Sequence, residues 1–244
     1  MHMLETHGDI ADPDFNRTPL ESLTIAALDR ISNEINWSAF NAIRTAIQQN
    51  HGATNDYLLA FADRYAYGIT MTGHSHLWAD HVFQHKWPNG DVQGLRFLNP
   101  GAWLKGLPKK YVLLPRGTKT NKKPRAKITD IHAGTPECDV PAVMAFFDFC
   151  DGKDWAVDLD GDIVDEYAFS LAEIMTSNTD HRALIERILG LKDWTWMPGN
   201  HDGFDVLGVR KLLQIPDSVE TPKFRVTEID DAPEAQPAVI GFPG

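Results

Sequence analysis

Apolar residues recur along this chain with two different periods. From residue 19 to about 49 they follow helical spacing, as Leu20, Leu23, Ala27, Ile31 and Ile35, then Phe40, Ile43 and Ile47, which predicts two helices broken near Asn36-Trp37. Residues 55–64, 140–150, 171–189 and 206–213 read as further helices. Between them lie short β-prone runs at 1–6, 67–72, 81–86, 92–98, 111–114, 127–129, 155–159, 194–197 and 223–229. Pro88-Asn89-Gly90 joins two of these runs as a hairpin, Asn-Gly being a strong turn signal. Strands alternating with helices predict an α/β layered fold, to which the hairpin adds antiparallel strands. Residues 115–125, PRGTKTNKKPR, are basic and lack large apolar side chains, so they read as an exposed linker. Residues 230–244 are rich in Pro and Ala and read as an irregular tail.

Five of the strand-like runs end in a tight polar turn that carries metal-type side chains. The first delivers His7, and 67–72 delivers His74 and His76. Asp130 and His132 follow 127–129, Asp162 and Asp165 follow 155–159, and Asn200 and His201 follow 194–197. A strand ending in Gly-Asp projects its carboxylate from the edge where α/β proteins place ligands, and Gly161 is read as leaving room for an ion or phosphate. Side chains at i and i+2 on an extended strand end point the same way. His74/His76 and Asp130/His132 are therefore each expected to aim two groups into one cleft. A lone histidine is usually a surface or core residue, and His2, His51, His81, His85 and His181 are read so. Asp9 and Asp202 are read as turn or supporting residues. Mixed imidazole, carboxylate and amide oxygen suits Mn, Fe or Zn, with Mg an alternative in one position. A closed structural zinc site would use Cys instead.

Composition narrows this picture. A chain of 244 residues with 43% hydrophobic content suits one domain with a full core. With 34 acidic against 23 basic residues, the net charge of −11 disfavours a broad nucleic-acid footprint and fits carboxylates that hold divalent cations. The two cysteines imply no disulfide scaffold and point to a reducing, cytoplasmic location. No apolar run approaches the roughly 20 residues of a membrane span, and no signal peptide is visible.

The five segments DIH, GDIVD, GNHD, HGD and GHSH resemble the signature blocks of the calcineurin-like metallophosphoesterase superfamily, and NPGAW resembles the segment that follows the last block. The likeness runs over about 1–114 and 126–229. In the family, however, HGD and GHSH come last, whereas here they come first. Such a cyclic shift is what a circular permutation produces. It makes the whole chain one metallophosphoesterase-type domain, a β-sheet sandwich flanked by helices, with 13–66 a small helical cap and 115–125 joining the permuted halves. The resemblance implies two divalent metal ions. One would be held by Asp130, His132, Asp162 and His76, the other by Asp162, Asn200, His7 and His74, with Asp162 bridging. His201 would be the non-ligand histidine facing substrate, oriented by Asp165, for which a carboxylate at a helix N-terminus is the competing account.

The implied activity is hydrolysis of a phosphodiester, pyrophosphate or phosphomonoester bond by a hydroxide that bridges the two ions. Glu166 stands where the protein-phosphatase branch has Arg, which counts against a phosphoprotein substrate. GDIVDEY, GNHDG and HGD look closest to the branch of UDP-2,3-diacylglucosamine hydrolases, which leaves a lipid-like substrate as the narrower reading. Packing against the core, or a homodimer interface, is the better account of an apolar face on the cap. The 11-residue linker reaches at most ~35 Å, so exchange of halves between two chains is a minor alternative to a site within one chain. Two other functions stay open: a binding module that keeps the fold without catalysis, and a nuclease of the same superfamily.

Overall fold

Alternation along the strands sets two sheets face to face. The computed structural model describes residues 2–7, 54–115, 123–165, 171–177, 179–202, 210–211, 213–215, 224–229 and 236–243. The helices expected within 19–49, most of that at 206–213 and most of the linker lie outside those residues. The strands are β1 (His2–Thr6), β2 (Ile69–Met71), β3 (Ala79–Lys86), β4 (Val92–Asn99), β5 (Lys110–Leu114), β6 (Arg125–Ile128), β7 (Ala156–Asp160), β8 (Trp194–Met197), β9 (Phe224–Glu228) and β10 (Ala238–Gly241). The helices are α1 (Thr54–Tyr65), α2 (Val140–Gly152), α3 (Leu171–Ser177) and α4 (Thr179–Leu189). The first sheet has the order β3-β4-β2-β1-β9 and the second β10-β5-β6-β7-β8. In the first, β1, β2 and β4 run parallel, while β3 and β9 are antiparallel to their neighbours. In the second, β6, β7 and β8 run parallel, while β5 and β10 are antiparallel to theirs.

The central strands β4 and β5 divide their residues between two cores. On β5, Val112 and Leu114 join Met3, Ile69, Met71 and Leu98 between the sheets, while Tyr111 turns to the helical side. On β4, Leu98 faces the second sheet, and Phe97 meets Leu58 and Ala62 of α1. The sequence of α2 explains its place: Val143, Phe146, Phe147 and Cys150 recur at helical spacing and are all buried against the second sheet. Asp139 begins that helix, its side chain accepting from the Ala142 amide at 3.3 Å. The result is a four-layer α/β protein, helix on sheet on sheet on helices.

Most expected elements lie within two residues of their places. The mostly helical stretch read over 171–189 holds two helices, α3 and α4. One element was missed. The tail read as irregular contains β10, which pairs antiparallel with β5 through Ala238↔Leu113 to Gly241↔Lys110. Both cysteines are free and buried, and no described helix is long and apolar enough to cross a membrane.

The layout fixes where ligands can gather. β1, β2, β6, β7 and β8 deliver His7, His74/His76, Asp130/His132, Asp162 and Asn200/His201, each from its carboxyl end. His2 at the start of β1 pairs with Glu228 at the end of β9, so the first strand of the chain is flanked by one of its last.

Candidate metal centre

The loop after β7 supplies the hub. Asp162 is buried, and its Oδ1 accepts from the His201 amide at 2.8 Å. Its Oδ2 has no hydrogen-bond partner, yet lies 3.0 Å from His7 Nε2, 3.9 Å from His132 Nε2 and 4.0 Å from His201 Nε2. Three histidines thus converge on one carboxylate oxygen. Among the described residues three donor clusters lie here: His7, His74 and Asp162; His76, Asp130 and His132, whose His132 reaches the same oxygen at 3.9 Å; and His132, Asp165 and His201. In the second, His76 Nε2 is 3.0 Å from His132 Nε2 and 3.4 Å from Asp130 Oδ1. Two nitrogens each ~2.1 Å from one ion, at a right angle, would stand ~3.0 Å apart.

Contacts on the far side of His7, His132 and His201 fix which nitrogen faces inward. His7 Nδ1 lies 3.3 Å from the Asp160 carbonyl; a carbonyl only accepts, so that nitrogen carries a proton and Nε2 is the one turned toward Asp162. His132 Nδ1 is 3.0 Å from Asp165 Oδ2, and His201 Nδ1 is 3.1 Å from Asp165 Oδ1. One carboxylate therefore orients two imidazoles. The second of these contacts is the pairing that the sequence suggested, and the first is an addition. Asp130 lies beneath, accepting from the His74 amide at 3.1 Å and from the Thr129 hydroxyl. Asn200 is buried with an Oδ1 that has no hydrogen-bond partner. It stands between Gly199 and His201, both in contact with Asp162.

Charge explains why these carboxylates stay ionised. Burial alone would raise Asp162, Asp165 and Asp130, but the facing histidines hold all three below the ordinary carboxylate range. Asp202 moves the other way: burial, then the Asp162 charge, raises it. Its oxygens accept from the amides of Val164 at 2.8 Å, Gly199 at 3.0 Å and Ile163 at 3.3 Å. That fits the supporting role expected of it; Asp9 lies outside the described residues.

Two sequence-based arguments need correction. The i, i+2 argument assumed extended backbone, but His74, His76, Asp130, His132 and Asp162 all have φ between 52° and 66°. Left-handed turns, not strand ends, aim these side chains, and such strain in non-glycine residues gathers at functional sites. The space beside Gly161 does not await an ion either. A Cβ there would strike the His7 ring, and one at Gly199 would strike Asp162. These glycines let ligand segments from different strands touch.

Two supporting residues went unseen in the sequence. Thr129 was counted only as strand, though its hydroxyl holds Asp130. Asn99 had its signal in NPGAW: its Nδ2 donates to Gly73 O at 3.0 Å and Ser75 Oγ at 2.9 Å, while Oδ1 accepts from Gly101 N at 2.8 Å. It fastens the turn that carries His74 and His76.

Comparison of the chain with protein-family models, with curated proteins and with solved structures found no match in any of the three.

Proposed function

We propose that the protein is a dinuclear metal-dependent phosphoesterase of the calcineurin-like metallophosphoesterase type, with its signature blocks in circularly permuted order. The observation that carries this reading is that Asp162 Oδ2, a buried oxygen with no hydrogen-bond partner, lies 3.0 Å from His7 of one donor cluster and 3.9 Å from His132 of the next. Buried polar atoms are ordinarily satisfied, and cations fit the donor set: imidazole nitrogens, carboxylates and an amide oxygen. His7, His74, Asp162 and Asn200 would hold one ion, and His76, Asp130, His132 and Asp162 the other. Two divalent cations (Mn, Fe or Zn, with Mg an alternative) would polarise a phosphoryl group and acidify the water that attacks it.

The chain's own groups supply the rest. Asp165 lies 3.1 Å from His201 Nδ1, which turns Nε2 toward the cluster and a leaving oxygen. With a side chain 19% exposed, His201 is more open than Asp130, Asp162 and Asp165. In its protonated form it would donate to the departing alkoxide or stabilise charge on the phosphoryl oxygens. The substrate is a phosphodiester, pyrophosphate or phosphomonoester; a lipid-like one is the narrower possibility, and the acidic balance argues against nucleic acid.

Metal analysis of protein purified without chelator should find about two divalent ions per chain, and bis-p-nitrophenyl phosphate or the monoester should be hydrolysed. Asp162→Asn should lower the metal content. A wild-type protein that takes up no ion, or a variant with full content, would sink the assignment.

A further inference from the structure

Behind the cluster, between the sheets, lies a strip of charge that phosphoester hydrolysis does not call on. Lys127 on β6 is 1% exposed. Its ammonium pairs with Glu5 of β1, with Asp158 Oδ2 at 2.6 Å and with Asp160 Oδ2 at 3.6 Å. Glu5 also accepts from Thr227 Oγ1 at 2.6 Å and lies 3.7 Å from Arg225 Nη1.

Apolar side chains would join the sheets at least as well, because desolvation of a buried pair can exceed its Coulombic gain. What charges add is placement, since a buried ion pair tolerates one arrangement where greasy surfaces tolerate several. Placement is what β1 lacks. From Met3 to Thr6 it is buried on both faces, so Met3 and Leu4 have no solvent side to fix their alternation, and a slip by one residue would turn every side chain over. Glu5 shares a face with His7, two residues on. Asp160 comes two residues before Asp162 across the left-handed Gly161-Asp162 turn, and Lys127 comes three residues before Asp130. One ammonium thus ties together the three strands that deliver His7, Asp130 and Asp162.

We infer that Glu5 and Lys127 are positioning residues for the cation site of His7, His74 and Asp162: their ion pair fixes the register of β1 so that His7 Nε2 meets Asp162 Oδ2. The inference rests on the dinuclear reading of the cluster.

Glu5→Gln removes the charge with little change of shape and leaves Lys127 its two aspartates. Mn2+ titration followed by calorimetry, with bound ions counted after gel filtration, should find two ions on wild-type protein. On Glu5→Gln one should remain at wild-type affinity, and the other should bind about 10–100-fold more weakly, the range seen when a ligand's support is removed. Val143→Ala, cut from the core on the helical side, lowers melting temperature without touching β1 and should keep both ions. That separates register from general loss of stability. Two unaltered affinities in Glu5→Gln, or a parallel loss of both ions, overturns the inference. Should Glu5→Gln not fold, Thr227→Val removes one hydrogen bond to Glu5 and leaves the charge; it should weaken the same ion several-fold, and unchanged binding overturns the inference equally. Wild-type protein that binds no Mn2+ overturns the dinuclear reading and this inference with it, whereas two ions on wild type and two unaltered ones on the variant overturn this inference alone.

Discussion

Asp165 sets two histidines to different tasks through one kind of contact. It takes Nδ1 of both His132 and His201, so both rings project Nε2. His132 is shut in at 1% exposure, with Nε2 beside His76, whereas the His201 side chain reaches 19%. Their substitutions should therefore part. His201→Ala should keep both ions and lose about 10²–10⁴ in turnover. Asp165→Asn should lose turnover and also bind metal about 10–100-fold more weakly, because it supports His132 as well. Turnover and metal content measured together decide it; an Asp165→Asn protein with full metal affinity would show that His132 stands without this carboxylate.

At the scale of strands and turns, the buried ion strip has a pH signature. Burial would raise Asp158, but Lys127 and Arg125 hold it far below its ordinary value; Arg125 Nε donates to Asp158 Oδ1 at 3.0 Å. A carboxylate lowered in the folded state adds stability above its unfolded value of ~3.9, and that stability is lost as pH falls through the folded value. Asp158→Asn should thus cost about 3–5 kcal/mol near neutrality, the scale of a broken buried pair. The gap from wild type, read by denaturant unfolding of metal-free protein, should narrow below about pH 4. A constant gap down to pH 2 would argue against the pairing.

The same elements show what a sequence can disclose. β4 and α2 declared themselves through local signals: the Asn-Gly turn before one, helical spacing of Val143, Phe146, Phe147 and Cys150 in the other. The ligand blocks were visible because Gly-Asp, Gly-Asn-His and Gly-His-Ser-His each combine a turn former with a donor. Other features depend on partners far along the chain. Ala238-Val239-Ile240 becomes a strand because β5 presents a free edge, and edge pairing outweighs weak local propensity. Lys127 read only as part of a strand, and nothing near it in the sequence signals the Glu5 that the opposite sheet brings to it. The left-handed turns were hidden too, since His and Asp adopt that backbone only where surrounding contacts hold them in it.

For the whole molecule, two bound cations would act as a clasp. His7, His74 and His76 come from the first 76 residues, and Asp130 through His201 from the second half, so each ion joins the two. An ion present at 100 times its dissociation constant adds ~2.7 kcal/mol to stability. In a chain of this size that raises melting temperature by about 5–10 °C per ion. Chelation should lower it by that amount, and readdition of Mn2+ should restore it. An unchanged melting curve would mean that the donors close on nothing.

His7 and Asp162, 3.0 Å apart in space, are separated by most of the chain in order of manufacture. The first of the proposed ligands to leave the ribosome would wait for more than 150 later residues before it meets its partner, and for the segment around Asn200 before the cluster closes. At the usual pace of about 5–20 residues per second, that delay is on the order of ten seconds or more. Newly made protein would therefore gain the ability to load metal only after the segment around Asn200 has been made.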